Sequence, residues 1–169
     1  MNRTHVKKIV FAALSCALVF VATMLAVPTP VVGNVNLGDA AILLTAWILG
    51  GPWSVAASAC GSALADLVSG YALYAPATFL IKGGLALCAL GLEKGLRRLR
   101  LPPLVCLLLS GLCAEVWMAG GYFVYEATVL SLGWAAAANL PFNAVQGGVG
   151  LALGILATRL LRGLQQKQK

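Results

Sequence analysis

Apolar residues fill most of the chain in long runs, and Gly, Pro and a few polar residues mark where each run breaks. The first run predicts a helix from Lys8 to Val27, stopped by Pro28 and Pro30. A loop from Pro28 to Gly38 follows, with Pro-Thr-Pro and Gly33 in it. The second run, Asp39 to Ile48, breaks at Gly50-Gly51-Pro52, and the third extends from Trp53 to Val68. Ser69 to Pro76 forms another loop. A fourth run, Ala77 to Leu92, leads into a basic segment ending at Arg100. A fifth covers Pro102 to Glu126, and a sixth covers Ala135 to Leu161 ahead of a Gln/Lys tail. Since about 20 apolar residues cross a bilayer as a helix, the pattern predicts an all-α polytopic membrane protein. It has six transmembrane helices in a single domain over residues 1–169, the second and third being short for a full crossing.

Composition narrows the class further. The chain is 60% hydrophobic and 10% charged, with a mean hydropathy of +0.91. A soluble domain carries about a quarter charged residues, and a disordered chain far less apolar surface, so neither class fits. The N-terminal run is too long for the apolar core of a secretory signal and reads as a true span. There is no repeat of solenoid length and no low-complexity tract.

The net charge of +7 matters less than its placement. Of the twelve Lys and Arg residues, all but Lys82 fall in three groups: Arg3, Lys7 and Lys8; Lys94, Arg97, Arg98 and Arg100; Arg159, Arg162, Lys167 and Lys169. Six spans put all three groups on one side, where basic flanks belong, so both termini are expected in the cytoplasm. Five spans would separate the terminal groups. The excess positive charge is therefore membrane topology and implies no nucleic-acid partner. The five cysteines (Cys16, Cys60, Cys88, Cys106, Cys113) lie in apolar stretches without metal-type spacing, and read as buried small hydrophobes.

An ionisable side chain at membrane depth costs about 2.5–3.5 kcal/mol on insertion scales and needs a partner or a wet cavity. Asp39, Asp66, Lys82 and Glu115 are in that position, and the carboxylates are the natural partners of Lys82. Helical spacing groups the polar residues into stripes. Ser58, Ser62, Asp66 and Ser69 line the third helix, Thr78 and Lys82 the fourth. Glu115, Ala119, Tyr122 and Glu126 share a face of the fifth, and Asn139, Asn143, Gln146 and Gly150 a face of the sixth. Most lie toward the outer half, which predicts an outward polar cavity roofed by the loops at 28–38 and 69–76. The same groups would alternatively join helices through hydrogen bonds and one structural ion pair. Glu126 also fits a solvated residue at the boundary. Tyr71, Tyr74, Tyr122, Tyr125 and Trp134 fit an interfacial aromatic belt, while Trp117 is deeper and fits packing or ligand stacking equally.

Small residues recur at helical spacing: Ala13 and Ala17, Ala22 and Ala26, Gly150 and Gly154. Such pairs let helices approach closely. No Gly-x-x-x-x-Gly-Lys-Ser/Thr loop holds nucleotide phosphates. The single histidine, His5, lies in the N-terminal flank, which leaves no His-activated nucleophile within the membrane. The expectation is a protein that is not an enzyme and needs neither cofactor nor metal.

Three segments carry a family resemblance: Asn36-Leu37-Gly38-Asp39-Ala40-Ala41-Ile42; Gly61-Ser62-Ala63-Leu64-Ala65-Asp66-Leu67 through Gly70-Tyr71; and Tyr74-Ala75-Pro76-Ala77-Thr78-Phe79 through Ile81-Lys82-Gly83. Together they resemble the substrate-binding S components of energy-coupling factor (ECF) vitamin transporters, in particular the riboflavin, hydroxymethylpyrimidine and pyridoxine group. The resemblance implies a multi-pass protein of the bacterial plasma membrane. Such a protein captures a vitamin with high affinity and works with a transmembrane T component and two cytoplasmic ABC ATPases. It also implies that Ala13 and Ala17 dock the T component and that the loop from Pro28 to Gly38 acts as a lid.

The expected substrate site comprises Asn36, Asp39, Asp66, Tyr74, Lys82, Glu115, Tyr122, Asn139, Asn143 and Gln146. Their donors, acceptors and rings fit a flat pyridine or pyrimidine. Pyridoxine or hydroxymethylpyrimidine is preferred over the bulkier riboflavin. A self-sufficient proton-coupled carrier or channel using Asp66, Lys82 and Glu115, and a purely structural membrane subunit, remain the competing readings.

Overall fold

The computed structural model describes residues 3–29 and 34–167, with side chains from His5 onward. Pro30 and Gly33 of the first predicted loop, Lys169 of the tail and the side chain of Arg3 lie outside the described residues. Six α-helices make up the fold: α1 Arg3–Met24, α2 Gly38–Ile48, α3 Gly51–Val68, α4 Ala75–Arg98, α5 Pro103–Thr128 and α6 Leu140–Lys167. Between α1 and α2 stand two short strands, β1 Ala26–Pro28 and β2 Asn34–Asn36, and a 3₁₀ helix, Gly133–Asn139, precedes α6. The strands are antiparallel, with Ala26 opposite Asn36 and Pro28 opposite Asn34.

Several ends differ from the sequence expectation for identifiable reasons. The first helix stops at Met24 because Val27 pairs with Val35 in the hairpin. Helix α4 takes Pro76 into its first turn, where a missing N–H costs nothing. It then runs through the basic segment to Arg98, since Lys and Arg are good helix formers and suit the negative end of the helix dipole. Helix α6 likewise continues past Leu161 to Lys167. The break at Gly50-Gly51-Pro52 is a tight reversal in which Gly50 and Gly51 adopt φ of +64° and +69°, a conformation that L side chains resist.

Among the described residues, four stretches are long and apolar enough to cross a membrane: His5–Met24, Ala75–Arg98, Pro103–Thr128 and Gly133–Lys167. Helix α2 has 11 residues, a length of about 16 Å. Helix α3 has its hydropathy lowered by Ser54, Ser58, Ser62 and Asp66, all buried. Helix α2 lies inward: its Ile42, Leu43 and Ala46 are wholly buried among Leu85, Ala86 and Ala89 of α4 and Leu107, Ala114 and Met118 of α5. Around it α1 packs on α3, α3 on α4, α4 on α5, α5 on α6, and α6 on α2, with α2 also touching α1 and α4.

Small residues set how closely these helices meet. A Cβ on Gly61 would lie 2.6 Å from the Cys16 carbonyl oxygen at the α1–α3 seam, and one on Gly150 would lie 2.8 Å from Asp39 Cβ at the α2–α6 seam. Ala13 and Ala17, by contrast, face outward. So do Cys60 and Cys113, while Cys16 and Cys88 are half-buried and Cys106 alone is buried; all five thiols are free. The expectation of five buried cysteines is thus corrected, because a helix in lipid places small apolar residues on its outer face at little cost.

The alternation of helices gathers the basic residues of α1, α4 and α6 at one end. The hairpin, the turn from Ser69 to Tyr74 and the 3₁₀ helix gather at the other.

Candidate functional site

Beneath the hairpin, at the end away from the basic residues, polar side chains from all six described helices converge. The innermost feature is an ion pair between helices α4 and α2: Lys82 Nζ lies 2.5 Å from Asp39 Oδ1, both groups buried. The second Asp39 oxygen accepts from Gln146 Nε2 of α6 at 2.6 Å. Gln146 Oε1 in turn accepts the backbone N–H of Asn36 at 2.8 Å. This chain of bonds ties hairpin, α6, α2 and α4 together, and it satisfies a buried charge pair that would otherwise be costly. Asn36 also organises the start of α2, accepting from Gly38 N at 2.9 Å and donating to Asn34 Oδ1 at 2.9 Å.

A second cluster lies nearer the mouth. Glu126, at the end of α5, accepts from the Tyr74 hydroxyl at 3.3 Å and from Asn139 Nδ2 at 2.9 Å. Thr29 approaches Asn139 Oδ1 at 3.5 Å. The Thr78 and Tyr122 hydroxyls share a hydrogen bond of 3.0 Å, and Asp66 lines the same cavity. Tyrosine rings pack around these groups: Tyr74 meets Tyr71 at 6.2 Å, Tyr122 at 6.4 Å and Tyr125 at 5.5 Å between centroids. Tyr125 donates to the Leu73 carbonyl, anchoring the turn before α4.

These residues enclose a cavity of about 30 Å³ lined by Thr23, Thr29, Asn34, Asn36, Asp66, Tyr71, Tyr74, Thr78, Lys82, Tyr122, Glu126, Asn139, Asn143 and Gln146. No aliphatic side chain is among them. Of the ten sequence candidates, Asn36, Asp66, Tyr74, Lys82, Tyr122, Asn139, Asn143 and Gln146 line the cavity. Asp39 stands directly behind Lys82 and Gln146.

Glu115 lies elsewhere. It lines a separate cleft of about 220 Å³ between α5 and α6, with Asn143, Gly147 and Leu151, and neither of its oxygens has a hydrogen-bond partner. A Cβ on Gly147 would approach Glu115 Cβ at 3.0 Å, so the glycine makes room for the acid. Glu115 does share a helical face with Glu126, but eleven residues place it about 16 Å deeper along the axis, below the cavity floor.

Sequence reasoning missed Glu126, expected at a solvated boundary. It is buried because the 3₁₀ helix folds over it and supplies Asn139. Its membership in the Glu115 stripe was the signal available. Thr23, Thr29, Asn34, Tyr71 and Thr78 were also absent from the expected set; the first three sit on or beside the hairpin, whose pairing brings them inward. Trp117 proves to be a packing residue, donating to the Ile81 carbonyl at 3.1 Å with its ring against Gly84. Among the described residues, no three His, Cys, Asp or Glu side chains converge as a metal ion would require.

A family model described as "ECF-type riboflavin transporter, S component" matches residues 3–165. No protein of curated function matches the chain. One solved structure, reported under "Structure and mechanism of the S component of a bacterial ECF transporter", superposes with a TM-score of 0.77 at 20% identity, covering 95% of this chain and 98% of that one. At that identity the likeness concerns the fold.

Proposed function

We propose, from the premise that the chain belongs to the family of ECF-type riboflavin transporter S components, that it captures a vitamin outside the cell for import. As a member of a transporter family it is not an enzyme. The observation that carries the capture reading is the wholly polar and tyrosine-lined cavity under the hairpin, opposite the basic end of the bundle. Positive flanks lie inside, so the cavity opens outward. The six helices then form one domain in the bacterial plasma membrane, the short α2 enclosed by the longer helices, with both helical termini cytoplasmic.

The substrate we favour is a single-ring vitamin of the pyridoxine or hydroxymethylpyrimidine type. Its hydroxyl, amino and ring-nitrogen groups match a lining of Asn, Gln, Thr, Tyr and carboxylate side chains. The cavity of about 30 Å³ is room for only a water or two, so binding requires the hairpin to lift, and a small ring asks less of it. Riboflavin is the second reading, favoured by the name of the family model. Its dimethylbenzene edge would seek an aliphatic wall, which the described lining residues do not supply. Mass spectrometry of the small molecule that copurifies with the protein distinguishes the two. A pyridine or pyrimidine supports the first reading, and riboflavin replaces it with the second.

Partners follow from the same premise: a transmembrane T component and two cytoplasmic ABC ATPases. Ala13 and Ala17 lie on an outward face of α1, with Phe11, Leu14, Leu18 and Val21 also exposed there. Replacing both alanines with Trp is expected to abolish copurification with the T component while leaving vitamin binding unchanged, because that face does not contact the cavity. Loss of both, or of neither, removes the docking assignment.

A further inference from the structure

The charge balance of the cavity points to the class of ligand. Of the five acidic residues in the chain, Asp39, Asp66, Glu115 and Glu126 all lie at or beneath the cavity, and only Glu93 lies at the other end. Lys82 is the one base among the cavity residues, and Asp39 already neutralises it at 2.5 Å. Asp66 and Glu126, both buried and both lining the cavity, form no ion pair among the described residues. With a neutral ligand each could stay ionised only as a buried charge outside any ion pair, which is costly, whereas a cationic ligand would remove that cost.

Two further observations point the same way. The rings of Tyr71, Tyr74 and Tyr122 line the cavity together, with neighbouring centroids 6.2 and 6.4 Å apart. Aromatic faces attract cations, and Lys82 Nζ already sits 5.4 Å from the Tyr122 centroid. Independently of the acids, the Thr23 hydroxyl is buried, lines the cavity and has no hydrogen-bond partner among the described residues, so a polar group of the ligand is still wanted there.

We propose that the ligand is an organic cation: an aromatic ring bearing an ammonium or a protonated ring nitrogen, its charge held by Asp66 and Glu126 among the tyrosine faces. This rests on the vitamin-capturing reading and adds the charge state. It separates this chain from a receptor for a neutral vitamin, because two carboxylates discriminate against any isostere that lacks the positive group.

The test is calorimetric titration of the full-length purified protein with pyridoxamine and with pyridoxine, which differ by an aminomethyl group in place of a hydroxymethyl, and with riboflavin. Pyridoxamine is expected to bind about tenfold or more tightly than pyridoxine. Asp66→Asn and Glu126→Gln are each expected to shrink that preference, with thermal unfolding in detergent reporting that the variants are folded. Equal or tighter binding of pyridoxine, tightest binding of riboflavin, or a preference that survives both substitutions would overturn the cation assignment and leave the capture reading standing. No binding of any of the three, with no small molecule copurifying, overturns both.

Discussion

The two ends of the bundle solve opposite electrostatic problems. At the basic end one carboxylate serves two arginines: Glu93 accepts from Arg97 Nε at 2.5 Å and from Arg162 Nη2 at 3.1 Å, and Arg162 also reaches the Trp47 carbonyl at 2.8 Å. At the cavity end there are four carboxylates to one lysine, and among the described residues only Asp39 pairs with it. The Arg97 side chain is 41% exposed, whereas Lys82 and Asp39 are at 2% and 0%. Water therefore screens the first network and not the second. An ion pair open to solvent trims the ends of helices; one sealed inside commits several helices to a single arrangement.

The largest expected effect comes from breaking the sealed pair. Lys82→Met leaves Asp39 buried without a countercharge, and a loss of about 3–5 kcal/mol of stability is expected. Thermal unfolding in detergent measures it. Adding Asp39→Asn in the same chain is expected to recover most of that stability without restoring ligand binding. A single variant as stable as the parent would show that the pair does not hold this end together.

A smaller contrast comes from glycines on the same helix. At Gly150 an added methyl would lie 2.8 Å from Asp39 Cβ, while at Gly163, near the basic end, nothing lies within 4 Å. Gly150→Ala is expected to cost about 1–3 kcal/mol through overpacking. Gly163→Ala is expected to stabilise by up to about 1 kcal/mol through helix propensity. Melting temperatures moving in the same direction would refute the asymmetry. Smallest of all, Arg97→Ala removes a half-exposed i,i+4 partner. Less than about 1 kcal/mol should be lost, with ligand affinity unaltered in the same titration.

What the sequence reveals depends on how local the determining physics is. The reversal at Gly50-Gly51-Pro52 and the need of Lys82 for a carboxylate are written in adjacent residues or in simple solvation costs, and both appear in the structure. Which of three carboxylates pairs with Lys82 is different, because that choice depends on how α2 seats between α4 and α6. Glu115 shows a related limit: helical period gives the face correctly, yet the cavity is shallower than the stripe is long. Glu126 shows the converse, since a helix end reads as solvated until another element folds over it. The hairpin could not be foreseen from two three-residue strands, for so short a pairing carries almost no periodic signal.

One bond described above has a mechanical meaning. The N–H of Asn36 hangs the hairpin on Gln146, and the far side of that same amide group is committed to Asp39. Lifting the flap while the glutamine stays put breaks one link; rotating the glutamine breaks two and leaves the aspartate short of a donor. Unlatching and charge rearrangement are thus a single cooperative event. If the vitamin enters beneath the hairpin, as proposed, entry would require rupture of that chain, and the capture rate is expected to fall below the rate of diffusional encounter.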